Sequence, residues 1–197
     1  MQRAIFLIGL IATTLIAHAA PPTPAATQQA VPTAATSPAA HPAEPVFDCY
    51  RMNSAWGFML AGAMIDSTGA IYRYRIQGKP WAPTPEKVDG KNWLRAADLQ
   101  AKFANAKQDG SVDAKALQEN SALIVNAASG TLKSTDAGAR DAGTSTCHAY
   151  IHDAVGQRYR DVELGSDGGV ADSRMSNDAA AAQTLLAWLK SVNVATK

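Results

Sequence analysis

Little in this sequence points to a standard catalytic, cofactor or nucleic-acid site. The 197 residues include only two cysteines and four histidines, and the formal net charge is +1. A nucleic-acid-binding chain normally shows clustered lysines and arginines with a strongly basic balance, so we expect no nucleic-acid partner. The glycines occur in turn-like contexts rather than in a phosphate-binding motif between a strand and a helix. We therefore expect no cofactor.

The N-terminus has the three parts of a secretory signal. A basic start, Met1-Gln2-Arg3, precedes an apolar run over residues 4–17 and the sequence Ala17-His18-Ala19, which is typical of a cleavage site. We predict a signal peptide over 1–19 and export to the periplasm or the extracellular space. The alternative is an uncleaved anchor, although the apolar run is short for a membrane span. We expect no membrane span in the mature chain.

A biased segment follows the signal. Residues 20–45 are mainly Ala, Pro and Thr, and Glu44 is the one charged residue among them. Such a composition does not form a packed core, so we predict a Pro/Ala/Thr-rich disordered linker or tail. Residues 46–197 are long enough for one hydrophobic core, and we predict a single α+β domain there.

A β-hairpin is predicted in the stretch WGFMLAGAMIDSTGAIYRYRI, residues 56–76. Asp66 and Gly69 occupy the first and fourth positions that a type I turn prefers. Placing Ile65 opposite Ala70 sets the tyrosines of the second strand against small residues of the first. A slip of one residue would exchange this aromatic face for a basic one. The basic face carries two candidate binding residues, Arg73 and Arg75.

A second hairpin is predicted over Thr146–His152 and Gln157–Leu164. With His152 opposite Gln157, one face carries His148, Tyr150, His152, Tyr159 and Asp161, all candidate binding residues. We assign this face to the outside, because the other face is more apolar. His148 lies opposite Asp161 in this register, a pair that resembles the base and orienter of an acid–base catalyst. The alternative is a structural cross-strand ladder. We expect the two side chains to be within hydrogen-bonding distance and the pKa of His148 to be raised.

The histidines and cysteines predict one disulfide and no metal site. His148 and His152 are four residues apart on a strand, so their Cα atoms should be about 13 Å apart, too far to bind one ion. Two cysteines in an exported chain are best explained as partners. We predict a Cys49–Cys147 disulfide.

Helical patterns lie between the hairpins and at the C-terminus. Ala96, Leu99 and Phe103 recur at helical spacing behind Asn92, a candidate cap, and a second helix should begin at Ser111 or Asp113 and end at a left-handed Gly130. We predict an α+β fold in which two hairpins form an antiparallel sheet of about four to five strands. An αα-hairpin and a C-terminal helix pack mainly on one face. This order of elements loosely resembles that of small bacterial protease inhibitors of the emfourin type, although no specific motif is shared.

Three functions are compatible with these patterns. The favoured one is an exported binding module, such as an inhibitor of a secreted enzyme or an envelope accessory protein, whose partner is a protein or an envelope polymer. The proline-rich loop around Trp81 and the irregular stretch over residues 129–145 offer binding surfaces. The alternatives are a hydrolase acting on envelope polymers and a structural spacer domain. The absence of a recognisable nucleophile or cofactor motif favours a protein that is not an enzyme.

Overall fold

The computed structural model describes residues 42–55, 57–136, 143–168 and 173–195. The predicted signal peptide, most of the predicted tail and Trp56 lie outside these ranges. No helix among the described residues is long and apolar enough to cross a membrane. The strands are β1 (Pro45–Asn53), β2 (Met59–Asp66), β3 (Ala70–Gln77), β4 (Glu86–Val88), β5 (Lys91–Arg95), β6 (Lys107–Ser111), β7 (Leu132–Asp136), β8 (Thr144–Asp153), β9 (Arg158–Gly168) and β10 (Ser173–Asn177). The helices are α1 (Ala96–Phe103), α2 (Ala114–Ser121), α3 (Ile124–Ala127) and α4 (Ala180–Ser191).

These ten described strands form one antiparallel sheet. Eight of them follow the order β4-β5-β9-β8-β1-β2-β3-β6, while β10 pairs with β9 and β7 pairs with β10. The prediction of a small sheet of four to five strands was therefore wrong. Some of the additional strands have sequences with low β-strand propensity. Strand β6, for example, has the sequence KQDGS and all its residues are exposed. It forms because its backbone pairs with the edge of β3.

The predicted αα-hairpin was also wrong, because β6 separates α1 from α2. Asn92 lies inside β5 and does not cap a helix. Asp113 does cap α2, since its carboxylate accepts hydrogen bonds from the backbone N–H groups of Lys115 and Ala116. Gly130 is not left-handed; it is required because a Cβ there would collide with the side chain of Asn177.

The first hairpin forms, but its register differs by one residue from the prediction. Ile65 lies opposite Ile71 rather than Ala70. The backbone N–H of Gly69 donates to Asp66 O at 3.0 Å, and the φ angle of Gly69 is +88°. A type I turn followed by a left-handed glycine makes a three-residue loop, whereas the prediction assumed four. The tyrosines of β3 therefore share a face with Leu60.

The second hairpin is shifted by two residues from its predicted register. Asp153 pairs with Arg158, and His152 pairs with Tyr159. Gln157 belongs to the loop, with a φ angle of +48°, so the loop is one residue later than predicted. Because side chains alternate with a period of two, this shift leaves every residue on its predicted face.

The two faces of the sheet have separate cores. The α4 face, covered by α2, α3 and α4, holds an apolar cluster built around Phe47, Ile65, Leu164, Leu185 and Leu189. The Cys49–Cys147 disulfide joins neighbouring strands within this cluster, as predicted. The opposite α1 face holds a second cluster of tyrosines, leucines and Phe103.

The connection through α1 crosses the α1 face from one side of the sheet to the other. It begins at the end of β5 and leads to β6, which lie six strand spacings apart in the sheet order. In a flat sheet that distance would be about 29 Å. One eight-residue helix and its flanks reach at most about 25 Å, because residues 103–106 form a turn in which the Ala106 N–H donates to Phe103 O at 2.9 Å. We infer that the sheet curls around α1.

Candidate functional site

A buried ion pair lies at the centre of the α1 face. Asp48 is on β1 and Lys102 is in the last turn of α1. Their side chains are 0% exposed, and Lys102 Nζ lies 2.5 Å from Asp48 Oδ2. Tyr74 donates its hydroxyl to Asp48 Oδ1 at 2.7 Å. The carboxylate is therefore satisfied by a cation and a phenol.

Aromatic rings surround the Lys102 ammonium. Nζ lies 4.0 Å from the ring centroid of Tyr50 and 4.3 Å from that of Trp81, and 5.6 Å from the rings of Tyr74 and Phe103. Such contacts stabilise a desolvated cation electrostatically. Trp81 is held in place by a hydrogen bond from its Nε1 to Asp98 O at 2.9 Å. The predicted Trp81 loop thus closes over the protein's own lysine.

A glycine in β2 allows the strands beneath this ring cluster to approach closely. Gly62 of β2 lies between Tyr50 and Tyr74 on the neighbouring strands. A Cβ at this position would lie 2.7 Å from the Cβ of Tyr50 and would also collide with Cys49 O. The glycine is therefore needed for the close approach of β1 and β2.

Burial controls the protonation of this cluster. Desolvation lowers the pKa of Lys102, although Asp48 acts in the opposite direction. Burial first, and then the charge of Asp48, raise the pKa of Tyr74 and Tyr150 well above the ordinary phenol value. The phenols consequently remain protonated near neutral pH and act as hydrogen-bond donors.

A second polar chain runs from Asp161 through His148 to Tyr50. His148 Nδ1 lies 2.7 Å from Asp161 Oδ1, and His148 Nε2 lies 3.4 Å from the Tyr50 hydroxyl. Desolvation opposes the charged imidazole, but the charge and hydrogen bond of Asp161 outweigh it, so the pKa of His148 is raised. The predicted contact and the predicted direction of the pKa shift both hold.

The predicted outward orientation of this face was wrong. His148, Tyr150 and Tyr159 are 8%, 4% and 5% exposed, because α1 crosses over them. A strand face rich in polar residues predicts exposure to solvent. Here they instead form hydrogen bonds and ring contacts inside a second core.

His152 and Tyr159 lie at the edge of the α1 face. Their rings stack with centroids 4.6 Å apart, and His152 Nδ1 lies 3.0 Å from Glu44 Oε1. Glu44 stands directly before β1, so this side-chain contact links the predicted tail to the second hairpin. Six of the candidate binding residues thus gather on one face: Trp81, His148, Tyr150, His152, Tyr159 and Asp161.

The other two candidates, Arg73 and Arg75, lie on the opposite side of the sheet. Arg73 binds Asp109 through Nε at 2.9 Å and donates to Asn193 O through Nη2. Arg75 is exposed and pairs in register with Ala61. The structure does not bring these arginines together with the α1-face residues.

An open cavity of about 520 Å³ lies between α1 and the chain entering β1. We call it the α1 cavity. It is lined by Pro42, Ala43, Glu44, Pro45, Ala96, Leu99, Gln100, Phe103, Ala104 and Tyr159. The α1 residues recur at intervals of three and four, as one face of a helix requires.

The wall opposite α1 is fixed by the turn of the first hairpin. Asp66 Oδ2 accepts a hydrogen bond from the Ala43 N–H at 3.1 Å, while Oδ1 accepts from Thr68 and from the Ala70 N–H. Ser67 N–H donates to Glu44 O at 2.8 Å. One buried carboxylate therefore holds both the turn and the cavity wall.

A second cavity, of about 540 Å³, opens beside β9 and has a polar lining. Asp161 and Glu163 line it together with Lys91 and Arg160, so its charges are mixed. His148, which binds Asp161, does not line this cavity. No group of three metal-ligating side chains occurs in the part of the chain that the structure describes.

Sequence reasoning missed the two residues at the centre of the cluster, Asp48 and Lys102. A signal was present in each case. Asp48 interrupts the apolar run VFDCY, and Lys102 lies three residues after Leu99, on the inward stripe of α1. A charge within an apolar pattern implies either a break in the element or a buried partner, and the two charges are opposite.

The comparisons with known proteins place the chain in no family. No family model matches it, and no match was found to a curated protein or a solved structure. Its function therefore has to be inferred from the geometry described above.

Proposed function

We propose that this chain is an exported protein-binding module that accepts an apolar side chain of its partner in the α1 cavity. One observation carries the proposal: the α1 cavity is open, whereas the polar cluster beneath it is closed. An apolar pocket with a few polar groups at its margin is the usual form of a binding site. At about 520 Å³, it has room for a large side chain such as Phe.

The chemistry of the lining favours a protein partner over an envelope polymer. Leu99 and Phe103 are buried residues at the base of the cavity, and the more accessible lining includes Pro42, Ala96 and Ala104. The lining is therefore mostly apolar, and burying apolar surface contributes about 25 cal/mol per Å². Phe and Leu side chains supply such surface. A glycan would instead bring hydroxyl groups, which lose hydrogen bonds to water on entering an apolar site.

The geometry gives less support to the hydrolase alternative. A catalytic base needs a nitrogen free to take a proton from a substrate or water. In the His148–Asp161 pair, Nδ1 contacts the carboxylate and Nε2 contacts the Tyr50 hydroxyl. The aromatic cover and the buried Lys102–Asp48 pair next to it fit a structural role.

A titration followed by NMR tests the proposal. We expect N-acetyl-phenylalanine amide to shift the backbone signals of Glu44, Gln100 and Ala104 in the ¹⁵N-labelled exported chain, with millimolar affinity because one side chain is buried. N-acetylglucosamine is the matched polar probe and should leave them unchanged. Signals unmoved by the phenylalanine probe, shifts caused only by the sugar, or turnover of peptide, ester or peptidoglycan substrates would each overturn it.

A further inference from the structure

The charge of the α1 cavity specifies its partner more closely. This step rests on the proposed function. Among the described residues that line the cavity, Glu44 has the one carboxylate, and there is no Lys or Arg. The lining residues that α1 and its C-cap contribute, including Gln100 and Ala104, are uncharged. The Lys102 ammonium is turned away to Asp48, so α1 supplies no cation to the lining.

Glu44 is placed to contact a ligand at the margin of the cavity. Its backbone is held by the hydrogen bond from Ser67, while its side chain is 55% exposed. One oxygen, Oε1, lies 3.0 Å from His152 Nδ1. A carboxylate offers about four acceptor positions on its two oxygens, so it can accept further hydrogen bonds while it contacts His152.

We infer that the partner of the α1 cavity is a peptide segment in which an apolar anchor residue is next to a Lys or Arg. The anchor occupies the cavity beside Leu99 and Phe103, and the neighbouring cation binds the Glu44 carboxylate. An acidic neighbour would bring like charges together at the margin. The charge contributes selectivity in addition to the apolar contact.

Three capped dipeptides test this assignment on the ¹⁵N-labelled exported chain: acetyl-Phe-Lys-amide, acetyl-Phe-Gln-amide and acetyl-Phe-Glu-amide. They share the anchor and differ in charge. We expect the Lys peptide to bind roughly threefold to fivefold more tightly than the Gln peptide, as for an exposed ion pair, and the Glu peptide to bind more weakly. Added salt should reduce the difference.

Glu44→Gln is the matched variant, since it keeps the size and the backbone contacts of the residue. In this variant the three peptides should bind with similar affinity, and the affinity of the Gln peptide should be the same as for the native chain. Equal binding of all three peptides to the native chain, or an order that survives in Glu44→Gln, would overturn the charge assignment and leave the apolar site intact. Absence of binding by every peptide would instead overturn the proposed function itself.

Discussion

The two faces of the sheet are stabilised by different interactions. The α4 face is an apolar core closed by helices and one disulfide. The α1 face buries Asp48, Lys102 and His148 among tyrosines. Apolar packing is non-directional, whereas buried polar groups must find partners with defined geometry. The α4 face should therefore contribute most of the stability, and the α1 face should fix how α1 and Trp81 are positioned.

Polar contacts of the α1 face hold the walls of the α1 cavity. The Lys102–Asp48 pair anchors the last turn of α1, and Trp81 is hydrogen bonded to Asp98 of the same helix. Asp66 anchors the opposite wall. The two walls are held apart by separate polar contacts, so the space between them is not closed by apolar collapse.

The largest loss of stability should come from the α4 face. Replacing both cysteines, as Cys49→Ala with Cys147→Ala, should lower the free energy of unfolding by about 4 to 5 kcal/mol, because the bridge closes a loop of 98 residues. Urea unfolding without reductant measures the change. Adding reductant to the native chain should reproduce it. An unchanged midpoint would mean that the bridge does not stabilise this face.

On the α1 face, Lys102→Met should lower the free energy of unfolding by about 3 to 5 kcal/mol, because it leaves the Asp48 charge buried without its partner. The double variant Lys102→Met with Asp48→Asn should recover part of that loss, since Asn still accepts the Tyr74 hydrogen bond without a charge. Urea unfolding of both variants measures the comparison. If the double variant is less stable than Lys102→Met alone, the unpaired charge is not the cause.

A smaller effect with a distinctive pH dependence is expected for His148→Gln. A hydrogen bond to a charged group contributes about 1.5 to 3 kcal/mol. Because the folded pKa of His148 is raised, this contribution is fully present below the ordinary imidazole pKa of about 6.5 and is lost as pH rises through the folded pKa.

The difference in unfolding free energy between the native chain and His148→Gln should accordingly be larger at about pH 5 than at about pH 9. Asp161→Asn is the control, since it removes the carboxylate and should flatten the same pH dependence. A difference that grows with pH would contradict the assigned pairing.

The smallest effect is expected at Arg75, on the exposed part of the sheet surface opposite α1. Arg75→Ala should change the free energy of unfolding by less than about 0.5 kcal/mol, as for most surface substitutions. It should also leave binding of acetyl-Phe-Lys-amide unchanged, which calorimetry or NMR can measure. Weakened peptide binding would show that the basic face contributes to the site.

The α4 face could be largely predicted from the sequence. Ala182, Leu185 and Leu189 recur at helical spacing and are fully buried. The Cys49–Cys147 disulfide is predictable because the chain contains no other cysteines. Both inferences use local periodicity or elimination, and neither requires the strand order.

The α1 face could not be predicted in the same way. Its polar residues are buried because α1 crosses them, which depends on β5 and β6 lying near opposite ends of the sheet. A short polar segment such as β6 has no strand pattern of its own. The His148–Asp161 contact was still predicted correctly, because the two-residue register error preserves the face.

We assign the binding site to the α1 cavity. This assignment can be tested with two alanines, Ala101 within α1 and Ala104 at the C-cap of that helix. Ala104 lines the cavity, whereas Ala101 does not, and both are exposed, so either can be replaced with little effect on the core. Ala104→Phe places a ring where the partner side chain should bind, and Ala101→Phe places the same ring outside.

The decisive measurement is the dissociation constant of acetyl-Phe-Lys-amide for these two variants and the native chain. We predict that Ala104→Phe weakens binding at least tenfold, while Ala101→Phe binds within about twofold of the native chain, because filling the cavity removes about 1.5 to 3 kcal/mol of side-chain burial. Equal affinity for the two variants would contradict the assignment of the site to this cavity.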